Sequence, residues 1–461
     1  MLATAHISFF NELLKERTST DLEVRKIYGS DETEDLNFPP AIVLKPETVK
    51  EVSEIMRYCH ENKITVTPAG ARTGLSGGAL CDHGGVLISM EKFNKIINID
   101  EKNHQVVTEP GVITQVLQDA VKDKGLFYPP DPASKGSCFI GGNVAENAGG
   151  PKAVKYGVTK DYVLNLEIVL PTGEVIWTGA NVLKNATGYN LTQLIVGSEG
   201  TLAIITKIVL KLIPHPTHDL LMLVPFFDAQ KACEAVAAIF QGGITPSGLE
   251  FMERDALVYT QTFTGDTSLH VAENHAAHLL IEVDGFDPNQ LMEECEKIML
   301  VLSEFETDEI LFADSEAQKA TLWSLRRKAG EAVKAQSIYK EEDTVVPRYS
   351  LPDLLGHVKR IGANYGFNSV CYGHAGDGNL HVNILKGDLS DEAWNEELPK
   401  AIRELFQEVA KLGGTISGEH GIGLVQKPYL DIVFGNTEMR LMREIKKVFD
   451  PYNILNPGKI F

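Results

Sequence analysis

Four side chains able to bind a metal or carry a proton fall in two short glycine-rich stretches. The first, Tyr372-Gly-His-Ala-Gly-Asp-Gly-Asn-Leu-His-Val-Asn383, holds His374 and His381. With Ala375–Leu380 as a connecting loop, a strand ends at His374 and the next starts near Leu380, so the two imidazoles face each other across a hairpin. Side chains alternate along a strand, so His381 and Asn383 share one face. Paired imidazoles suit a divalent metal, but a third ligand is needed. The second stretch, Ile416-Ser-Gly-Glu-His-Gly-Ile-Gly423, offers Glu419, next to His420. Two histidines and one carboxylate leave coordination positions open for a substrate, and zinc or manganese suits such ligands. A lone histidine in a strand is more often structural; two in a glycine-rich hairpin, together with Gly-Glu-His-Gly, shift the balance toward chemistry.

Two further glycine-rich segments lie in the first half, Pro68-Ala-Gly-Ala-Arg-Thr-Gly-Leu-Ser-Gly-Gly78 and Gly136–Gly150. A diphosphate needs backbone N–H groups crowded around it, and glycine lets the chain approach without a clashing side chain. Neither segment has the G-x-G-x-x-G spacing of a Rossmann turn, and no phosphate-binding G-x-x-x-x-G-K-[ST] is present. One such turn would read as a surface loop; two on one lobe point to a dinucleotide held outside a Rossmann fold.

The elements that must position these residues follow from periodicity. Glu47–Lys63 has helical spacing and leads through the strand Ile64–Thr67 into the first glycine-rich segment. Strand-like runs recur at Gly85–Met90, Lys95–Ile99 and Gln105–Glu109, with a helix over Ile113–Lys124. Tyr128–Gly157 reads as a long functional loop. Val163–Leu170 and Glu174–Trp177 form a hairpin around Pro171-Thr-Gly173, and Leu202–Ile213 is a further strand. Pro214-His-Pro216 marks a domain boundary. Beyond it, strands near Leu220–Phe226, Gly248–Met252 and Ala277–Val283 alternate with helices starting at Asp228 and spanning Asn289–Glu304. That is the pattern of an antiparallel sheet backed by helices. Helical spacing returns at Thr437–Val448. The expected organisation is α+β, with a dinucleotide domain over 1–215, a substrate domain over 216–425 and a segment 426–461 returning to the first domain.

A chain of 461 residues is too long for one core. Its net charge of -20 disfavours nucleic acid and anionic lipid but allows an anionic substrate at a local cationic cluster. No apolar run is long enough to span a bilayer. The six cysteines include no C-x-x-C pair, so no thiolate zinc site or iron–sulfur cluster is written here. The absence of a secretory leader and the cysteine usage point to the cytoplasm.

The motifs carry a resemblance. Pro68–Gly78, Pro129-Pro-Asp-Pro132, Gly141-Gly-Asn-Val-Ala-Glu-Asn-Ala-Gly-Gly150 and Val196-Gly-Ser-Glu-Gly-Thr-Leu202 resemble, in order and spacing, the FAD segments of the vanillyl-alcohol-oxidase and p-cresol-methylhydroxylase flavoproteins. The resemblance implies a two-lobed α+β fold with an FAD domain and an antiparallel-sheet cap. It implies that Pro68, Ala69, Gly70, Arg72, Thr73, Gly74, Leu75 and Ser76 cradle the diphosphate. Pro130, Asp131, Ser134, Gly141, Gly142, Asn143, Gly149 and Gly150 would surround the isoalloxazine and ribityl parts, Glu199, Gly200 and Ile204 would lie by the adenine and its ribose, and Asn456 would add a contact from the C-terminal tail. No histidine occupies Pro68–Leu80, so FAD is expected to be non-covalent, with Cys138 a buried small hydrophobe.

The histidine motifs resemble a narrower group, the FAD-linked D-2-hydroxy-acid dehydrogenases. This resemblance implies His374, His381 and Glu419 as metal ligands, His420 as catalytic base, Asn383 and His374 at the substrate, and Arg326 of Trp323-Ser-Leu-Arg326 as the clamp for the substrate carboxylate. Relatives that take a second, distal carboxylate carry a threonine where this chain has Gly330, and a lysine one position away from Lys340. D-lactate or glycolate is therefore expected ahead of D-2-hydroxyglutarate. A flavin alcohol or sugar oxidase without a metal, and a non-catalytic flavin-binding subunit, are the alternatives. The electron acceptor is left open among a quinone, an electron-transfer flavoprotein, a cytochrome and oxygen, and a homodimer is compatible with the sequence.

Overall fold

The computed structural model describes residues 2–461, which form two compact units. The first comprises the chain up to Gly149, Val158–His215 and Glu419–Phe461; the second comprises Gly150–Gly157 and Pro216–Gly418.

The first unit contains two main sheets. In one, the strands Ile42–Leu44 and Val66–Ala69 both run parallel to Val86–Ser89 between them, and Thr18–Ser19 adds an antiparallel edge. The helix Val49–Asn62 makes the crossover from Ile42–Leu44 to Val66–Ala69. It starts at a capping box in which Thr48 accepts from the Glu51 N–H and Glu51 accepts from the Thr48 N–H. Its Val52, Ile55, Met56 and Cys59 recur at helical spacing and are buried against Ile42, Val66 and Val86. The other sheet is antiparallel, in the order Ile96–Asp100, Gln105–Thr108, Ile204–Lys211, Val163–Val169 and Val175–Trp177. The C-terminal tail closes on the first sheet: Val66 N–H donates to Ile454 O at 2.7 Å and Asn456 N–H to Val66 O at 2.7 Å.

The second unit is built on seven strands, every adjacent pair antiparallel. Their order is Leu311–Ala313, His218–Phe226, Ala277–Gly285, Gly248–Glu253, Asn368–Gly373, Asn379–Leu385 and Tyr339–Val345. Helices that include Ala229–Gln241, Glu316–Arg327 and Leu398–Lys411 back it. Leu398–Lys411 turns Leu398, Ala401, Ile402, Leu405, Phe406 and Val409 inward, the 3.6-residue stripe of a core-facing helix.

The observed divisions differ from the sequence boundaries in two places. The segment Gly150–Gly157 belongs to the second unit. Its Lys152 Nζ contacts the Glu282 carboxylate, its Lys155 Nζ lies 2.7 Å from Asp284 Oδ1, and its Tyr156 hydroxyl donates to the same oxygen at 2.7 Å. The return to the first unit comes after Gly418, so Glu419–Val425 belong to the FAD-side unit. Tyr128–Gly157 is also not all loop: helices occupy Ile140–Glu146 and Ala153–Tyr156. Gly141 hides the first of these from sequence reading. A Cβ there would lie 2.4 Å from Pro110 Cβ, so a poor helix former is required by close packing.

Candidate active site

Within the first unit, one elongated cavity encloses about 1420 Å³ of space, the part open to solvent included. Its lining is mostly the glycine-rich segments themselves: Pro68–Leu75, Ser134, Gly141, Gly142, Asn143, Glu199, Gly200 and Ile204. Glu419 and His420 line the same cavity. The loop after Val66–Ala69 turns at Arg72, whose φ is 60° and whose guanidinium lies 4.2 Å from the Tyr28 ring centroid. Gly70 and Gly142 approach each other there, with a Cβ on Gly70 3.8 Å from Gly142 N, and a Cβ on Gly142 would meet nothing. At Gly74 and Gly142 the wall of this trough is backbone with open space before it, which lets N–H groups approach a diphosphate.

Not every expected cofactor residue is on the cavity wall. Ser76, Pro130, Asp131, Gly149, Gly150 and Asn456 are not among its lining residues. Asp131 is 3.7 Å from Lys135 Nζ. The Ser76 carbonyl accepts from the Leu424 N–H at 2.8 Å. The Asn456 amide donates to the carbonyls of Gly78 and Glu199, at 2.9 and 2.8 Å, bracing two of the lining turns. Gly149 leaves room for Glu419, since a Cβ there would lie 3.0 Å from Glu419 Oε2. Gly150 belongs to the second unit. Cys138 is buried, lines the cavity and contacts the Thr114 hydroxyl at 3.3 Å.

Two lining carboxylates escaped sequence reading, Asp31 and Glu146. Asp31 Oδ2 and Glu146 Oε2 are buried and lack a hydrogen-bond partner. Burial, then Glu199 and Asp31, push the Glu146 carboxyl well above its ordinary range, and burial also raises Asp31. Glu146 lies inside Ala-Glu-Asn-Ala, where only the cofactor-segment resemblance drew attention, and Asp31 sits in a polar loop with no local signal.

In the second unit, the hairpin expected around His374 and His381 is formed by Asn368–Gly373 and Asn379–Leu385. The turn closes at Gly378, with φ 80°, where a Cβ would fall 1.9 Å from the Val346 carbonyl oxygen. The two imidazoles are buried, and their ring centroids are 5.6 Å apart in an edge-to-face arrangement. His374 Nδ1 lies 2.9 Å from both oxygens of Glu250, a fully buried carboxylate on the neighbouring strand Gly248–Glu253. Burial raises the Glu250 carboxyl, but His374 and Arg326 outweigh it and hold it below its ordinary value. The same Glu250 stands 2.7 Å from Arg326 Nη2. Arg326 is 5 % exposed, not the solvated cation that its helix would allow, and its Nε has no hydrogen-bond partner. Three residues earlier on that helix, Trp323 Nε1 donates to Glu282 Oε2 at 2.8 Å and anchors the face that carries Arg326.

His381 faces Tyr372 and Glu341, with Glu341 Oε1 3.3 Å from its Nδ1. Asn383 lies two residues on, fully buried, with neither amide atom in a hydrogen bond of normal geometry. Asp343 accepts from Asn379 Nδ2 at 2.6 Å and from the Gly418 N–H at 2.8 Å, fixing the chain up to the end of this unit. Sequence reading missed Glu250, Glu341 and Asp343, which are ordinary acidic residues on strands until the sheet order places them beside the histidines.

A carboxylate on Nδ1 leaves Nε2 of His374 as the ligand nitrogen, the usual outer arrangement of a metal-binding histidine. Asn383 and Arg326 Nε are buried polar groups without a hydrogen bond of normal geometry. The second unit thus brings together two buried imidazoles, Arg326 and Asn383, and the first has Glu419 and His420 in the wall of the cavity.

Two family models match successive parts of the chain. Residues 40–179 match the FAD binding domain family, and residues 215–460 match the family of FAD linked oxidases, C-terminal domain. The chain belongs to the FAD-linked oxidases. This flavoenzyme is 38 % identical to a D-lactate dehydrogenase of Anaerostipes hadrus over 98 % of its own length and 96 % of the relative's. It is 37 % identical to the glycolate oxidase subunit GlcD of Bacillus subtilis (strain 168), covering 95 % and 92 % of the two chains. Its fold is that of p-cresol methylhydroxylase, solved with substrate bound, at a TM-score of 0.82 and 18 % identity over 100 % of this chain and 97 % of the other. The expected fold class therefore holds. Among the described residues, no helix is long and apolar enough to cross a membrane.

Proposed function

We propose that this flavoenzyme oxidises a small D-2-hydroxy acid, D-lactate or glycolate, to the 2-oxo acid. The observation that carries the reading is the buried Arg326–Glu250–His374 network, with the buried amide of Asn383 in the same unit. Such a network suits a carboxylate guest and a metal-bound hydroxyl together. FAD, when bound in the trough, supplies the hydride acceptor. A divalent metal, zinc or manganese, would be held by His374, His381 and Glu419 and would supply a Lewis acid.

The chain's own groups take the other roles. Arg326 binds the substrate carboxylate through the guanidinium edge that Glu250 leaves open. Asn383 hydrogen-bonds the bound acid and orients its hydroxyl. His420 accepts the hydroxyl proton as general base.

The side chain of the acid is short in this reading. Tyr339–Val345 alternates its faces, so Glu341 turns toward His381 while Lys340 points the other way, its Nζ 5.8 Å from the Trp394 ring centroid. An acidic Glu341 in place of a second cation disfavours a distal carboxylate. The electron acceptor is a quinone, a cytochrome or a partner flavoprotein, and a cytoplasmic site of action is part of the same reading.

The test is anaerobic mixing of the holoenzyme with D-lactate, glycolate, L-lactate and D-2-hydroxyglutarate, following flavin absorbance, with metal analysis of variants. Bleaching is expected with the first two. Glu419→Gln, His374→Ala and His381→Ala should lose metal. His420→Ala should keep metal and FAD yet reduce the flavin about a hundred- to ten-thousand-fold more slowly. A metal-free wild type of full activity, or bleaching by D-2-hydroxyglutarate alone, would overturn the corresponding part.

A further inference from the structure

The Gly-Glu-His-Gly turn that carries His420 has no helix or strand to hold it. On its C-terminal side the chain is held by residues from elsewhere in the first unit. Glu199, in Val196-Gly-Ser-Glu-Gly, is 5 % exposed and sits at φ 52°, a left-handed conformation that non-glycine residues seldom adopt. That backbone turns its carboxylate away from solvent and onto two successive amides: Ile422 N–H donates to Oε1 at 2.8 Å and Gly423 N–H to Oε2 at 2.7 Å. Both oxygens are thus committed to the chain two and three residues beyond His420.

The surroundings leave this turn little freedom. A Cβ on Gly421 would lie 2.3 Å from Glu146 Oε2 and 3.2 Å from the Glu199 carboxyl carbon. A Cβ on Gly423 would lie 2.1 Å from the Ser76 carbonyl oxygen, and both glycines have positive φ. The Asn456 amide holds Glu199 from behind through its carbonyl. Glu199 itself lines the cofactor trough, and both its carboxyl oxygens accept from the turn. Burial raises both carboxyls; at Glu199 the Ile422 and Gly423 amides and Lys459 oppose it, whereas at Glu146 the neighbouring Glu199 and Asp31 add to it, so Glu146 is the one pushed toward the neutral acid.

We propose that Glu199 is a positioning residue for the proton-transfer step: its carboxylate, chelated by the Ile422 and Gly423 amides, fixes the turn that presents His420 to the cofactor trough. The inference rests on His420 being the base. A buried carboxylate that accepts from two successive backbone amides is a strong tether, and a small displacement of a base is costly in rate.

Glu199→Gln keeps one acceptor oxygen but sets an NH2 against the second amide, donor against donor. The holoenzymes to compare are wild type, Glu199→Gln, His420→Ala and the double variant, by anaerobic flavin reduction with D-lactate, KM, FAD content and Kd for FAD. Glu199→Gln should bind FAD as wild type does, leave KM nearly unchanged and reduce flavin about ten- to a hundred-fold more slowly. The double variant should be no slower than His420→Ala, because a residue acting only through His420 has nothing left to position. Glu199→Asp, with the charge kept and one methylene lost, should recover part of the rate, and it stands in for the glutamine variant if that fails to fold. Multiplying effects in the double variant overturn the proposal, as does loss of FAD from Glu199→Gln or a wild-type rate in it while His420→Ala is slow. A wild-type rate in His420→Ala overturns the base assignment itself and this inference with it.

Discussion

Replacing Glu250 tests the network of the second unit directly. The carboxylate is fully buried and contacts two groups that need it, Arg326 Nη2 at 2.7 Å and His374 Nδ1 at 2.9 Å. At an effective dielectric constant near 20, a charge pair at that separation attracts by about 6 kcal/mol before desolvation is counted. Glu250→Gln removes the negative charge and leaves the guanidinium buried without compensation, which costs about 3–5 kcal/mol of stability. The same change deprives His374 of its orienting carboxylate, for an expected loss of about ten- to a hundred-fold in metal affinity. Urea unfolding followed by tryptophan fluorescence reads the first effect, since Trp323 lies on the Arg326 helix; a metal titration of the folded variant reads the second. Adding Arg326→Met to Glu250→Gln should restore much of the lost stability, because no unpaired charge then remains, while the metal defect persists. An unchanged unfolding midpoint in Glu250→Gln, or a double variant less stable than the single one, would refute the account of Glu250 as the counter-charge.

Three further outcomes are expected. His278, 1 % exposed with neither ring nitrogen hydrogen-bonded, is held neutral by burial, its pKa lowered from 6.5 to about 3. The unfolded chain therefore takes up the proton first, and stability falls as pH drops below 6.5 toward 3, at up to about 1.4 kcal/mol per pH unit; His278→Phe should flatten that part of a stability–pH curve. The FAD should leave on acid precipitation, and flavin retained in the pellet would point to attachment, with Cys138 in the cavity wall as the first residue to examine. Arg72→Glu should weaken FAD binding by about ten-fold or more, since it places an anion in the trough and removes the cation from the Tyr28 ring, as judged by fluorescence titration of the apoprotein.

What was legible in the sequence is what is local along the chain. The cofactor trough could be read because its glycines are contiguous: Pro68–Leu75 forms one side of the cavity within a single loop. The pairing of His374 with His381 was legible because a short glycine-rich turn and a two-residue strand period leave few other arrangements. The alternation of strands and helices after Pro216 likewise implied an antiparallel sheet. The groups that tune these sites come from far along the chain. Glu250 meets His374 across 124 residues, and Glu199 meets Ile422 across 223. Periodicity tells which face of a strand an acid occupies, but not which strand lies beside it. Gly248–Glu253 became the neighbour of Asn368–Gly373 only through the sheet order, which is set by how the whole unit packs. The short helix Ile140–Glu146 was invisible for a related reason. Its glycine is dictated by contact with Pro110 thirty-one residues earlier, so tertiary packing overrode a local preference against helix.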